Sequence, residues 1–165
     1  MTNCLNVTPA LVRLEDITLH RTLAQFERDT ELPPLTLPST KLPPNLLKIW
    51  LLANPVLVVK KRSAREDHYY CVGGVHAWRT AKRDFFLGCE EFPVQILSNT
   101  LDKQDMCAFY VAELVYGHAL YSRSTSDVRS LWAWLNHPQL PEGLNLFDSK
   151  KAFGCAMQTN VRGWQ

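Results

Sequence analysis

Apolar positions change their spacing along this chain, and each change marks an element. Val56-Leu57-Val58-Val59 is a continuous, β-branched run of the length and composition of a short buried strand. Ahead of it, Leu46, Leu47, Trp50 and Leu51 recur at helical spacing and define one apolar face. Pro43-Pro44 suits the first turn of that helix, and Asn54-Pro55 stops it. Tyr69-Tyr70-Cys71-Val72 predicts a second strand ended by Gly73-Gly74. The segment from Ala77 to Phe86 reads as a helix with Trp78 and Ala81 for the core and Gly88 as its stop. Phe92 to Leu97 predicts a third strand, with Pro93 near its start where a missing donor is tolerated. Asp102 caps a further helix on which Met106, Tyr110 and Leu114 share a face.

Elsewhere the pattern is weaker. Leu11, Leu14 and Ile17 fit a strand or a short helix, and periodicity does not choose between them. Leu32 to Pro44 holds five prolines, which forbids regular helix and predicts an extended connector. Lys60 to His68 is a charged run that reads as a solvated hairpin loop. Ser124 to Asp127 signals a helix over Val128–Leu135, and after a loop with Pro138, Pro141 and Gly143 a last helix is expected near Ser149–Met157. Trp132, Trp134, Leu135 and Trp164 read as groups that dock the appended helix onto the domain; Trp132 and Trp134 are two apart, so on a helix they face different ways and one is also a candidate partner surface. Arg123 and Arg129 flank Asp127 and read as a solvated face.

Composition narrows the class. The 165 residues are 46% hydrophobic and 21% charged, which fits one folded domain with an appendage. A net charge of +2 does not mark a nucleic-acid binder by itself. The five cysteines, Cys4, Cys71, Cys89, Cys107 and Cys155, show no metal-ligand spacing and predict free thiols in a reducing compartment. With no signal-peptide pattern at the start and no apolar run long enough to span a bilayer, the expectation is a cytoplasmic protein.

The candidate chemistry lies where the second strand gives way to a helix, at Gly73-Gly74-Val75-His76. A helix start offers unpaired amides and a partial positive charge, which suit a phosphate. Two glycines allow close approach of an anion to the backbone, and His76, Arg79, Lys82 and Arg83 add hydrogen-bonding or cationic groups. Alone, a Gly-Gly turn before a helix also fits a tight strand-to-helix connection.

The run Tyr70 to Lys82 resembles the Gly-Gly-Cys-His-Arg signature of sulfiredoxins and the ParB-type pattern of a glycine-ended strand entering an Arg-rich helix. The order of elements over about residues 35 to 115 is similar as well. The resemblance implies an α/β (α+β) fold of the ParB/sulfiredoxin type, with a small mixed sheet, flanking helices and a helical C-terminal extension. The core domain is expected over residues 1–117 and the extension, packed on it, over 118–165. By the same resemblance Gly73, Gly74, Val75, His76 and Arg79 cradle phosphates, Lys48 and Lys82 are further clamps, and His76 and Arg79 are the catalytic candidates. The implied cofactor is ATP or another nucleoside triphosphate, with Mg2+ as a companion. Glu66, Asp67, Asp84, Glu90 and Glu91 are acidic candidates, but they form no paired metal signature.

Two departures limit the inheritance. Sulfiredoxin chemistry, as the resemblance implies it, needs a cysteine where Val75 stands, so peroxiredoxin repair is not expected. The ParB-type arginine pair is missing around His76, and no DNA-reading helix-turn-helix follows. Cys71 reads as a buried structural thiol whose side chain points away from the loop. The expectations that remain are an ATPase with DNase activity as a further possibility, or a non-enzymatic nucleotide-sensing or protein-binding module. Stand-alone members of the family include Osa-like plasmid fertility-inhibition proteins. That analogy implies DNA and a protein of a conjugative, type IV secretion apparatus as partners.

Overall fold

The structure, a computed structural model, describes residues 6–31, 44–61, 68–84, 91–99, 101–121, 125–141, 144, 147–157 and 162. The proline-rich connector, most of the charged hairpin, Gly88, Gly143, Glu66, Asp67 and Glu90 lie outside the described residues.

A five-stranded mixed sheet organises the chain, in the order β1-β5-β3-β4-β2. The undecided N-terminal region resolves into strand β1 (Val7–Arg13), a single 3-10 turn (Leu14–Asp16) and strand β2 (Ile17–Leu19). Helix α1 (Arg21–Asp29) follows, and the hydrophobic pattern did not predict it. Its signals are short: the His20 imidazole caps the Thr22 amide, and Leu23 and Phe26, three apart, carry its buried face. Both edge strands have protection against further pairing, since β2 has three residues and β1 carries Pro9.

Strand β3 (Val56–Lys60) pairs antiparallel with β4 (Tyr69–Gly73) and parallel with β5 (Glu91–Leu97), while β1 pairs antiparallel with β5 and β2 parallel with β4. The mixed α/β class is therefore as expected. Val56 and Val58 are fully buried, with Leu57 and Val59 half-covered on the other face. Helix α2 (Pro44–Ala53) starts at proline as anticipated. Its buried face is Leu47 and Leu51, however; Leu46 is 53% exposed and Trp50 half-buried.

Helix α4 (Lys103–Tyr121) begins after Asp102, whose carboxylate accepts from the Asp105 amide at 2.8 Å. Met106, Tyr110 and Leu114 are buried along it, as their spacing predicts. Helices α5 (Thr125–Leu135) and α6 (Lys150–Ala156, capped by Ser149) complete the described elements. Trp134 stacks edge-on against Phe26 at 6.0 Å, and Trp132 lies 5.2 Å from Phe153. Trp134 is buried and Trp132 half-buried, so neither is an open partner surface. Each reached an aromatic partner far off in sequence that a two-residue spacing does not reveal.

Candidate functional site

The strand-to-helix turn is built around one glycine that cannot be replaced. Gly74 has φ of +64°, and a Cβ there would stand 2.4 Å from the Pro55 carbonyl oxygen and 2.9 Å from the Val56 Cα. The left-handed backbone and this close passage both require glycine. Gly73 pairs with Leu57 at an irregularity in the β3–β4 register, where its missing side chain gives room to the leucine. Helix α3 (Val75–Asp84) starts immediately after, two residues earlier than the apolar pattern placed it.

The reason for the early start is a cap from outside the segment. The Gly74 carbonyl accepts the first helical bond, from Trp78, at 2.9 Å. Glycine has no side chain to satisfy the free amides that follow. Glu113 of α4 does so instead: its carboxylate accepts from the Val75 amide at 2.8 Å and the His76 amide at 2.5 Å. The amides on which the sequence predicted a phosphate thus hold two carboxylate oxygens of the chain itself. Burial pushes the Glu113 carboxyl up from the usual range, against the opposing pull of the His76 and Val75 amides, the Arg79 charge and the Gly74 amide.

Arg79 lies one turn beyond Val75 on the same side of α3. Its guanidinium donates to Glu27 of α1 at 2.6 Å and to the Tyr110 hydroxyl of α4 at 3.4 Å, and the same hydroxyl donates to Glu27. Desolvation works against the Arg79 charge, but Tyr110 and Glu27 outweigh it and hold its pKa up. Burial, then the bond and charge of Glu27, raise the Tyr110 hydroxyl, which stays neutral at physiological pH. Cys71 is fully buried and its thiol lies 3.4 Å from the Gly73 carbonyl. That is the setting of the buried structural thiol expected there. Burial and then the charge of Glu113 raise its pKa, so it is no activated nucleophile.

The other predicted residues are distributed as follows. His76 is half-buried, with its ring edge-on to Trp50 at 6.4 Å. Lys48 is half-exposed on α2, a helix that packs against α3. Lys82 is exposed at the far end of α3, its Nζ 4.9 Å above the Trp78 ring. Arg83 pairs with the buried Asp84 at 2.5 and 2.8 Å, so that acid has a cation of its own. Glu91 is exposed on β5. Among the described residues no three His, Cys, Asp or Glu side chains gather as a metal site. An apolar cavity of about 500 Å³ lies elsewhere, between β1, β5 and α2, with Leu11, Leu51, Leu52 and Pro55 in its walls. None of the predicted site residues lines it; a cavity without a charged group does not answer the chemistry at α3.

Three participants were missed: Glu113, Glu27 and the Tyr110 hydroxyl. For Glu113 a signal existed. It is the one charged residue in the apolar stretch from Met106 to Tyr116, three residues from Tyr110 and so next to it on the helix. A lone carboxylate there needs a partner.

No family model matches the sequence, and no curated protein matches it. Among solved structures, the chain is similar to the C-terminally truncated chromosome-partitioning protein ParB from Caulobacter crescentus complexed to the centromeric parS site. The identity is 14% and the TM-score 0.45, with 92% of this chain covered. This chain spans 65% of the length of that one.

Proposed function

We propose that this chain binds a nucleotide through its phosphates at the start of α3. One observation carries the reading: the Val75 and His76 amides, presented by Gly73-Gly74, already hold a pair of anionic oxygens. A carboxylate and a phosphate are recognised by the same donors. Arg79 adds a guanidinium kept charged by its neighbours, and His76 stands in the first turn. The sequence resemblance supports ATP or another triphosphate, with Mg2+, as the ligand. It also supports hydrolysis with His76 and Arg79 in the catalytic roles, DNase action on bound DNA, and interference with conjugative transfer through a type IV secretion system. The free thiols of Cys71, Cys107 and Cys155 agree with a cytoplasmic setting. No helix among the described residues is long and apolar enough to cross a membrane.

A second reading, a nucleotide sensor or protein-binding module without turnover, is favoured by one feature. Arg79 is committed to Glu27 and Tyr110, which holds it as a strut. ATP binding and hydrolysis, with and without Mg2+ and DNA, separate the two in wild type, His76→Ala and Arg79→Ala. Turnover lost in both variants supports the enzyme. Binding without turnover supports the sensor, and no binding at millimolar ATP removes both.

A further inference from the structure

Helix α1 is where three other helices meet. Phe26 stands edge-on to Tyr110 of α4 at 6.4 Å and to Trp134 of α5 at 6.0 Å, and Glu27 holds Arg79 of α3 at 2.6 Å. Yet α1 has nine residues and buries only Leu23 and Phe26, and a helix of that length is marginal on its own. Its ends therefore decide how well it holds. We infer that His20 is an acid-sensitive latch on α1: the neutral imidazole closes the start of the helix, and protonation opens the first turn.

The sheet aims the ring. Strand β2 runs parallel to β4 with Leu19 beside Cys71, and the next amide, that of His20, donates to the Cys71 carbonyl at 3.0 Å. With its backbone held there, His20 can give up the cap only by swinging its ring away. Its Nδ1 accepts from the Thr22 amide at 3.2 Å, and the ring lies edge-on to Tyr70 at 5.3 Å. An accepting Nδ1 leaves the proton of the neutral ring on Nε2. A second proton goes to Nδ1 and turns the acceptor into a donor that faces another donor. It also sets a positive charge at the positive end of the helix dipole. Both changes act against the same turn.

Nothing in that turn offsets the added charge. The first turn of α1 holds no acidic residue, and its first residue is Arg21. From β4 the ring meets Tyr70, and over the Tyr70 ring stands the Lys61 ammonium, just past the end of β3, at 5.8 Å. Cys71, the residue whose carbonyl holds the His20 amide, is kept neutral by burial. Burial first, then the Arg21 charge, hold the His20 pKa below the ordinary histidine value. The unfolded chain therefore takes up the proton first, at about pH 6.5. The stabilisation from the cap is whole above that value and is lost as pH falls through the lower folded pKa.

Two measurements on the full chain, without nucleotide, test the latch. The first needs no variant: an NMR titration from pH 7.5 to 5. The Thr22 amide proton is expected to move upfield in step with the His20 ring as it loses its acceptor, and the Cα shifts of Arg21 to Ala24 to move toward coil values. A Thr22 amide that does not follow the ring overturns the latch. The second is urea denaturation over the same range for wild type, His20→Asn and His20→Ala. Asparagine caps well and does not titrate, and alanine caps at no pH. Relative to His20→Asn, wild type is expected to lose about fivefold in its folding constant between pH 7.5 and 5, the scale of one helix cap. His20→Ala is expected to lie about fivefold below wild type at pH 7.5 and level with it at pH 5. A ratio of wild type to His20→Asn that stays constant over the range overturns the latch. Should the variants not fold, the wild-type titration decides.

Discussion

At the start of α3, Val75 and His76 donate to a carboxylate 38 and 37 residues away, and Arg79 reaches 52 residues back to Glu27. At its end, Lys82 covers Trp78 one turn behind, and Arg83 pairs with the residue beside it. One ten-residue helix therefore has a start fixed by the tertiary fold and an end where side chains close in sequence also meet one another. The start has to be fixed that way because Gly74 is needed for its backbone and leaves the amides uncapped. At the end Lys82 is exposed, while Arg83 is half-buried against the buried Asp84. Charge at the first end is positioned by α1 and α4 together; at the second, sequence neighbours contribute.

Gly74→Ala breaks the tertiary end most severely. The new Cβ meets the Pro55 carbonyl oxygen at 2.4 Å on a backbone that disfavours any L side chain. Strain of the left-handed conformation and overpacking add, so a loss of about 3 to 5 kcal/mol is expected. The urea midpoint measures it. A shift below about 1 kcal/mol would mean that the turn adapts freely, and that the start of α3 is no more constrained than its end.

Arg79→Ala comes next. It removes the guanidinium from Glu27 and Tyr110 and leaves the Tyr110 hydroxyl with Glu27 alone. Arg79 is 34% and Glu27 20% exposed, so water softens the loss to about 1 to 3 kcal/mol, between surface and buried ion pairs. A double-mutant cycle with Glu27→Gln should return a coupling of the same sign. Additive losses would reduce the network to separate surface contacts.

How much of this was open to sequence reading follows the same division. The α2, β3, β4, β5 and α4 segments and the Asp102 cap were legible because each depends on residues within a few positions. Lys82, a phosphate clamp by resemblance, stands exposed over Trp78 at the far end of α3. The early start of α3 and the occupant of its amides were not legible, since both come from Glu113 on another helix. Helix α1 escaped because its buried face is only Leu23 and Phe26, too few positions for a periodic signal. That Trp132 and Trp134 dock their helix was a reading of the sequence; which rings they meet, Phe153 and Phe26, comes through the tertiary fold.

The pH dependence of stability sharpens the comparison with a smaller effect. Burial raises the Glu113 pKa in the folded state above that of the unfolded chain. The folded state then holds the proton more tightly. Its contribution is fully present below the unfolded carboxyl range, about pH 4.3, and is lost as pH rises through the folded pKa. Glu113→Gln, which stays neutral, should lack that loss. The stability of wild type relative to this variant is therefore expected to fall between about pH 4 and the folded pKa. Chemical denaturation at stepped pH reads the difference; a relative stability that rises over the same interval would show that the backbone amides and the Arg79 charge outweigh desolvation.

The smallest effect is expected at the local end. Lys82→Ala removes an exposed cation from the face of Trp78. Such a contact in water is worth about 0.5 to 1 kcal/mol, and alanine recovers part of it through helix propensity. The net change should stay within about 0.5 kcal/mol, and ATP affinity should be unaltered, because Lys82 stands seven residues beyond Val75, about 10 Å along the axis. A flexible lysine stem shortens that distance, so the affinity is the more telling readout. If Lys82→Ala weakens ATP binding severalfold while stability holds, the far end of α3 belongs to the site after all, and the division between a tertiary start and a solvent-satisfied end gives way to a binding surface running along the helix.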